Sequence, residues 1–145
     1  MEKQFESIPI PAVRVDDVIR QRNWQTVDFV KLDVEGSEVR ALRGMSNLLE
    51  QDDAPIIYFE SNTHTLKFFG EDHRTLKQCL RGAGYKIFKQ SRDGLKQVLE
   101  EEEQRETCVD YIALKKSHSL PDDLFQPPRG LGKWSRWLRF GRKWK

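Results

Sequence analysis

Residues 27–38, Val-Asp-Phe-Val-Lys-Leu-Asp-Val-Glu-Gly-Ser-Glu, constrain the fold more than any other stretch of the chain. A short apolar run ends in two carboxylates one residue apart, then a glycine, then a helix start. Such a run between helices predicts a strand of a parallel α/β sheet covered on both faces. Ligands of open α/β sheets bind beyond the carboxyl ends of such strands. Asp33 and Glu35 stand there. Gly36 removes the side chain that would obstruct a tight strand-to-helix turn. Ser37 or Gly36 can open the helix, and Glu38 suits its positive first turn. Glu35 and Glu38 therefore each have two readings, a helix cap or a member of the site. Asp33 and Glu35 share strand parity, but the strand ends here, so parity alone does not aim both at one ligand.

The rest of the chain reads as alternating strands and helices. Residues 11–15 predict a short strand, and Asp16 a capped helix to about Arg22. The strand at 27–33 leads to a helix over 37–49, with Val39, Leu42, Met45, Leu48 and Leu49 near one face. A turn at 52–55 precedes a buried strand over 56–60. Asp72 begins a helix carrying Leu76, Cys79 and Leu80, which stops at Gly82 or Gly84. Residues 85–89 predict a strand, 91–94 a turn, 95–105 a helix with a solvated glutamate face, and 109–115 the last strand.

At 145 residues the chain fits one core-bearing domain. Formal charge is only +2, so bulk electrostatics do not announce a nucleic-acid binder. The distribution says more. Residues 129–145 carry seven basic side chains and no acidic ones, leaving the rest net acidic. Cys79 and Cys108 are too few and too separated for a disulfide framework or zinc site and read as thiols of a reducing compartment. His64, His73 and His118 lack metal-ligand spacing, so no metal is expected. The first residues lack the apolar core of a signal peptide, and no run approaches the ~20 apolar residues that span a bilayer. The expectation is a cytoplasmic protein. Its organisation is a domain over 1–116, a proline-containing linker over 117–130 and a basic aromatic tail over 131–145.

The central segment resembles the FkbM family of S-adenosylmethionine-dependent methyltransferases. The residues that carry the resemblance are Asp28, Lys31, Asp33, Val34, Glu35, Gly36 and Glu38, followed by Leu42-Arg43-Gly44. It extends upstream to residues 13–18, and downstream through 55–60, Gly84-Tyr85 and 110–114, roughly 8–115 in all. The resemblance implies a partial Rossmann-like class I sheet with flanking helices and an antiparallel terminal strand pair. It implies S-adenosylmethionine as cofactor and an acceptor hydroxyl on a sugar, glycan or secondary metabolite. Family members begin with a strand, a glycine-rich loop, a helix and a ribose-binding acid. Gly82 and Gly84 read instead as a helix stop, and Gly130 and Gly132 fall near or in the tail. The chain thus looks like the C-terminal portion of such an enzyme. It implies a partner that supplies the N-terminal half, with the isolated chain inactive. The alternative is a non-catalytic remnant or binding module, or one half of a split enzyme.

Within that resemblance, Asp33 stands beside the methyl group and the acceptor, where a carboxylate can take the hydroxyl proton as general base. Its other reading is a strand-end Asp bonding local backbone. Glu60, at the next strand's end, can orient the acceptor or serve as the base. Glu35 and His64 are candidate acceptor-binding residues, His64 through its near-neutral pKa or simply as a surface loop residue. Lys31 pairs with a carboxylate. The segment also loosely resembles the acidic strand of a P-loop ATPase, but Gly132-Lys133-Trp134 lacks the loop and the hydroxyl that phosphate binding needs. In the tail, Leu131, Trp134 and Leu138 recur at helical spacing among arginines and lysines. That pattern suits an anionic membrane surface, a solvated end or, less well, a nucleic acid.

Overall fold

A computed structural model of the protein describes residues 9–91 and 94–118. The tail over 131–145 and nearly all of the linker lie outside the described residues. In chain order the elements are α1 (Val15–Arg22), β1 (Phe29–Leu32), α2 (Glu38–Arg43), α3 (Ser46–Glu50), β2 (Ile56–Asn62), α4 (Thr63–Phe68), α5 (His73–Gly82), β3 (Lys86–Ser91), β4 (Gly94–Gln97) and β5 (Cys108–Leu114).

The strands form one open sheet in the order β1-β2-β5-β3-β4. Only β1 and β2 are parallel, and the remaining pairs are antiparallel. The parallel expectation therefore holds for one pair. The antiparallel setting of the last strand agrees with what the resemblance implied. Along β2 the odd positions Ile57, Phe59 and Ser61 are buried and the even positions only half-buried. A strand with one face on the core shows this period of two. On β1 only Leu32 is buried, and Phe29 is 56 % exposed. The expectation that both faces of this strand are covered is thus not met among the described residues.

Helices line the buried face. Val39, Leu42, Met45, Leu48 and Leu49 are all buried, as their spacing predicts, and pack in one cluster with Leu76, Leu80, Ile57, Phe59 and Ile87. The single helix expected over 37–49 is two, broken at Gly44 and Met45. Asp16 explains the break. Its carboxylate accepts from the backbone N–H of Asn47 (3.2 Å) and Leu48 (3.1 Å), and its own N–H donates to Gly44 O (3.1 Å). A buried carboxylate from α1 thereby satisfies the open N–H groups that start α3.

Three other expectations change. Residues 11–14 form no strand, and the chain enters α1 at Val15. Residues 95–105 are not helical: β4 runs to Gln97, and Val98 N–H continues the ladder to Ile87 O (2.8 Å). Gly94 starts that strand at φ +106, a helix-incompatible value, and the like charges at 100–103 repel one another in a helix. Finally α4, unforeseen, grows directly from β2. Asn62 caps it by accepting from His64 N–H (3.0 Å).

Candidate functional site

The site is built on the turn after β1. Ser37 N–H donates to Val34 O (3.2 Å), which closes the turn. Both central residues, Glu35 (φ +52) and Gly36 (φ +102), have positive φ. A side chain at Gly36 has no room: a Cβ there lies 2.3 Å from Thr65 O and 2.5 Å from Thr65 C. The glycine thus serves the close approach of two backbones, here the turn and α4. Glu38, at the start of α2, is buried. Its Oε1 accepts from Val34 N–H (3.2 Å) and Gly36 N–H (3.1 Å).

The sheet register gathers a polar row beside this turn. Lys31 on β1 lies opposite Tyr58 on β2, Glu60 opposite Asp110 on β5, and Asn62 opposite Cys108. Lys31 Nζ donates to Asp33 Oδ2 at 2.9 Å, which raises the lysine's pKa further. Tyr58 is pushed above its usual range by desolvation and then by Asp110, with Asp33 and Glu60 adding to it. Cys108 is pushed up to about 11 by desolvation, by its hydrogen bond to Glu60, and by the charges of Glu60, Asp110 and Asp33. Three carboxylates, from the turn after β1, from β2 and from β5, therefore act on the same hydroxyl and thiol groups.

Asp33 and Glu60 are brought together, and Lys31 takes the pairing role read for it. Glu35 and His64 are not drawn into this cluster. Glu35 stands exposed in the left-handed turn beyond it. His64 is exposed on α4, tied by its N–H to Asn62 Oδ1. Asp110, Tyr58 and Cys108 were not foreseen. The available signal was the even parity of Tyr58 with Glu60 and of Cys108 with Asp110.

Gly84 ends α5 as read, at φ +86 with its N–H on Arg81 O (2.9 Å). No glycine-rich strand-to-helix loop that could cradle the methionine and ribose of S-adenosylmethionine occurs among the described residues. None of them forms a group of three or more His, Cys, Asp or Glu placed to hold a metal ion. A cavity of about 500 Å³ lies between β3, β5 and the 98–106 loop, with Tyr111 and Lys89 in its wall. Behind Tyr111, the buried Lys77 ammonium donates to the phenol oxygen (3.1 Å), and burial pulls its pKa down to about 8. Tyr111 alternates with Asp110 on β5, so this cavity and the strand-end carboxylates lie on opposite faces.

The family model described as the Methyltransferase FkbM domain matches residues 2–87, more than half of the chain. The chain belongs to that family. The match ends within β3, so β4 and β5, with Asp110, lie beyond the matched residues. Comparison with curated proteins and with solved structures gives no significant match.

Proposed function

We propose that this FkbM-family chain supplies the acceptor side of an S-adenosylmethionine-dependent O-methyltransferase acting on a hydroxyl of a sugar, glycan or secondary metabolite. One observation carries the reading: the β1 and β2 strand ends bring Asp33 and Glu60 to a single polar cluster with Tyr58 and Asp110. A hydroxyl is a poor nucleophile at neutral pH, and a positioned carboxylate can accept its proton as the oxygen begins to bond. Asp33, fixed by Lys31, is the base in this reading. Glu60 orients the acceptor, and Glu35 and His64 contact its outer parts. S-adenosylmethionine would supply the methyl group. The described residues do not fit its binding, so a separate segment or chain with the glycine-rich unit is proposed to hold it. The order β1-β2-β5-β3 with β5 antiparallel supports a Rossmann-like class I sheet in part. The second edge of β1, unpaired among the described residues, suits such a unit. The domain division at 116 and 130, and a tail that attaches the protein peripherally to anionic membrane, belong to the same proposal.

The alternative, a non-catalytic binding module, rests on there being no glycine-rich cofactor loop among the described residues. Calorimetry and turnover separate the two. The full chain alone is expected to show no saturable S-adenosylmethionine binding; a micromolar Kd, about −8 kcal/mol, overturns the proposed architecture. Mixed with a co-expressed glycine-loop segment of the family, it is expected to transfer labelled methyl to a panel of hydroxylated acceptors. Asp33→Asn should then lower kcat by about 10²–10⁴-fold at unchanged melting temperature. Full turnover in that variant removes Asp33 as the base.

A further inference from the structure

We infer that Glu38 is a positioning residue, whose buried carboxylate fixes the turn that presents Asp33 and Glu35. The inference rests on the proposed role of Asp33. Glu38 is 2 % exposed, although it sits at the first position of a helix, where a glutamate ordinarily faces solvent. Its hydrogen bonds show what the burial serves. A helix cap satisfies N–H groups inside the first turn of its helix. Glu38 Oε1 instead accepts from Val34 and Gly36, both of which precede α2. Ser37, in the capping position, makes no side-chain cap bond. The carboxylate is therefore spent on the turn.

The turn needs such an anchor. Glu35 is held at φ +52, a left-handed conformation that a residue with a Cβ enters only at a cost. The closing Ser37-to-Val34 bond spans both central residues, and the Gly36 N–H between them has Glu38 as its partner. One carboxylate oxygen bridging the amides of residues 34 and 36 brackets Glu35 on both sides. The same bridge fixes the peptide that follows Asp33. The other oxygen, Oε2, is buried and has no partner among the described residues. A group kept only for packing would not leave a buried polar oxygen unsatisfied, because an apolar side chain fills the same volume without that penalty. The carboxylate is kept for its bonds to the turn.

Amide hydrogen exchange and carboxyl carbon resonances in the labelled full chain test this. Glu38→Ala is expected to lower protection of the Val34 and Gly36 amides by about tenfold or more, with Ile57 and Phe59 in β2 as folding controls. The Asp33 carboxyl resonance should move toward that of an unpaired aspartate. Glu38→Gln keeps one acceptor oxygen and should restore most of both. Unchanged protection in Glu38→Ala overturns the clamp. Loosened amides with an unmoved Asp33 resonance overturn the positioning role. If Glu38→Ala fails to fold, Glu38→Gln against the parent decides: the changed acceptor should shift the Val34 and Gly36 amide protons, and identical shifts overturn the inference. Asp33→Asn should leave both amides protected. Failure of the general-base reading would therefore appear in turnover while the clamp stands.

Discussion

Gly36→Ala probes the contact on which the candidate site is built. Two costs add. At φ +102 a residue with a Cβ is strained, by about 1–2 kcal/mol. The new Cβ also lies 2.3 Å from Thr65 O, 2.5 Å from Thr65 C and 3.0 Å from the Phe69 ring. The first two are backbone atoms and cannot rotate aside. Thr65 is held further by Asn62, whose carbonyl accepts from its hydroxyl at 3.3 Å. Relief requires α4 or the turn to shift, and overpacking of this kind costs about 1–3 kcal/mol. The sum is about 2–5 kcal/mol, a large share of the 5–15 kcal/mol typical of a domain. Gly84 provides the control: its φ is +86, and a Cβ there meets nothing within 4 Å. Gly84→Ala should thus show only the conformational cost of about 1–2 kcal/mol. Urea unfolding of both variants, with unchanged slope, isolates the Thr65 contact as their difference. If Gly36→Ala loses no more than Gly84→Ala, the turn does not abut α4 as described.

Two predictions concern other parts of the chain. Burial holds the folded-state pKa of Lys77 at about 8, below its usual 10.5, so the folded state sheds this proton first and Lys77 contributes a rise in stability between pH 8 and 10, by at most about 3 kcal/mol, against which the raised thiols of Cys79 and Cys108 pull stability down. The parent should therefore gain stability relative to Lys77→Met across this window in urea titrations; a constant difference between the two proteins refutes the assignment, and readings above pH 10 are excluded because Tyr85 and Tyr111, pushed up to about 12, then make stability fall further. The full chain should cosediment with anionic vesicles at low salt and a chain ending at Gly130 should not, each basic residue contributing about 1 kcal/mol and the binding fading with salt. Equal binding of the two excludes the tail as the membrane contact, and binding to RNA but not vesicles favours the nucleic-acid reading.

Most elements were legible because their burial has a period. The apolar spacing of Val39, Leu42, Met45, Leu48 and Leu49 marked one helical face correctly. What the pattern could not show was the break at Gly44, which depends on Asp16 arriving from another element to cap α3. Likewise α4 carries only one buried residue, Leu66, so it leaves almost no periodic trace. The 95–105 error has the same origin. A run of glutamates carries no burial signal, and the segment is tied instead to a distant strand, where Gln104 accepts from the Ser61 hydroxyl and donates to the Ser61 carbonyl.

The site was half legible for a topological reason. Reading for the carboxyl ends of strands finds Asp33 and Glu60, because β1 and β2 run parallel and end on the same edge of the sheet. An antiparallel strand beside them contributes its beginning, not its end, to that edge. β5 is such a strand, so Cys108 and Asp110, its first and third residues, sit opposite Asn62 and Glu60. Any carboxyl-end rule passes over them. The consequence is chemical as well as geometric. Asp110 acts on Tyr58 and Cys108 alongside Asp33 and Glu60, while Lys31 answers Asp33. Three carboxylates on one edge raise the cost of ionising any further acid there. In the proposed reading, an acceptor hydroxyl at this edge would keep its proton until the new bond forms, which is the circumstance in which a positioned general base contributes most.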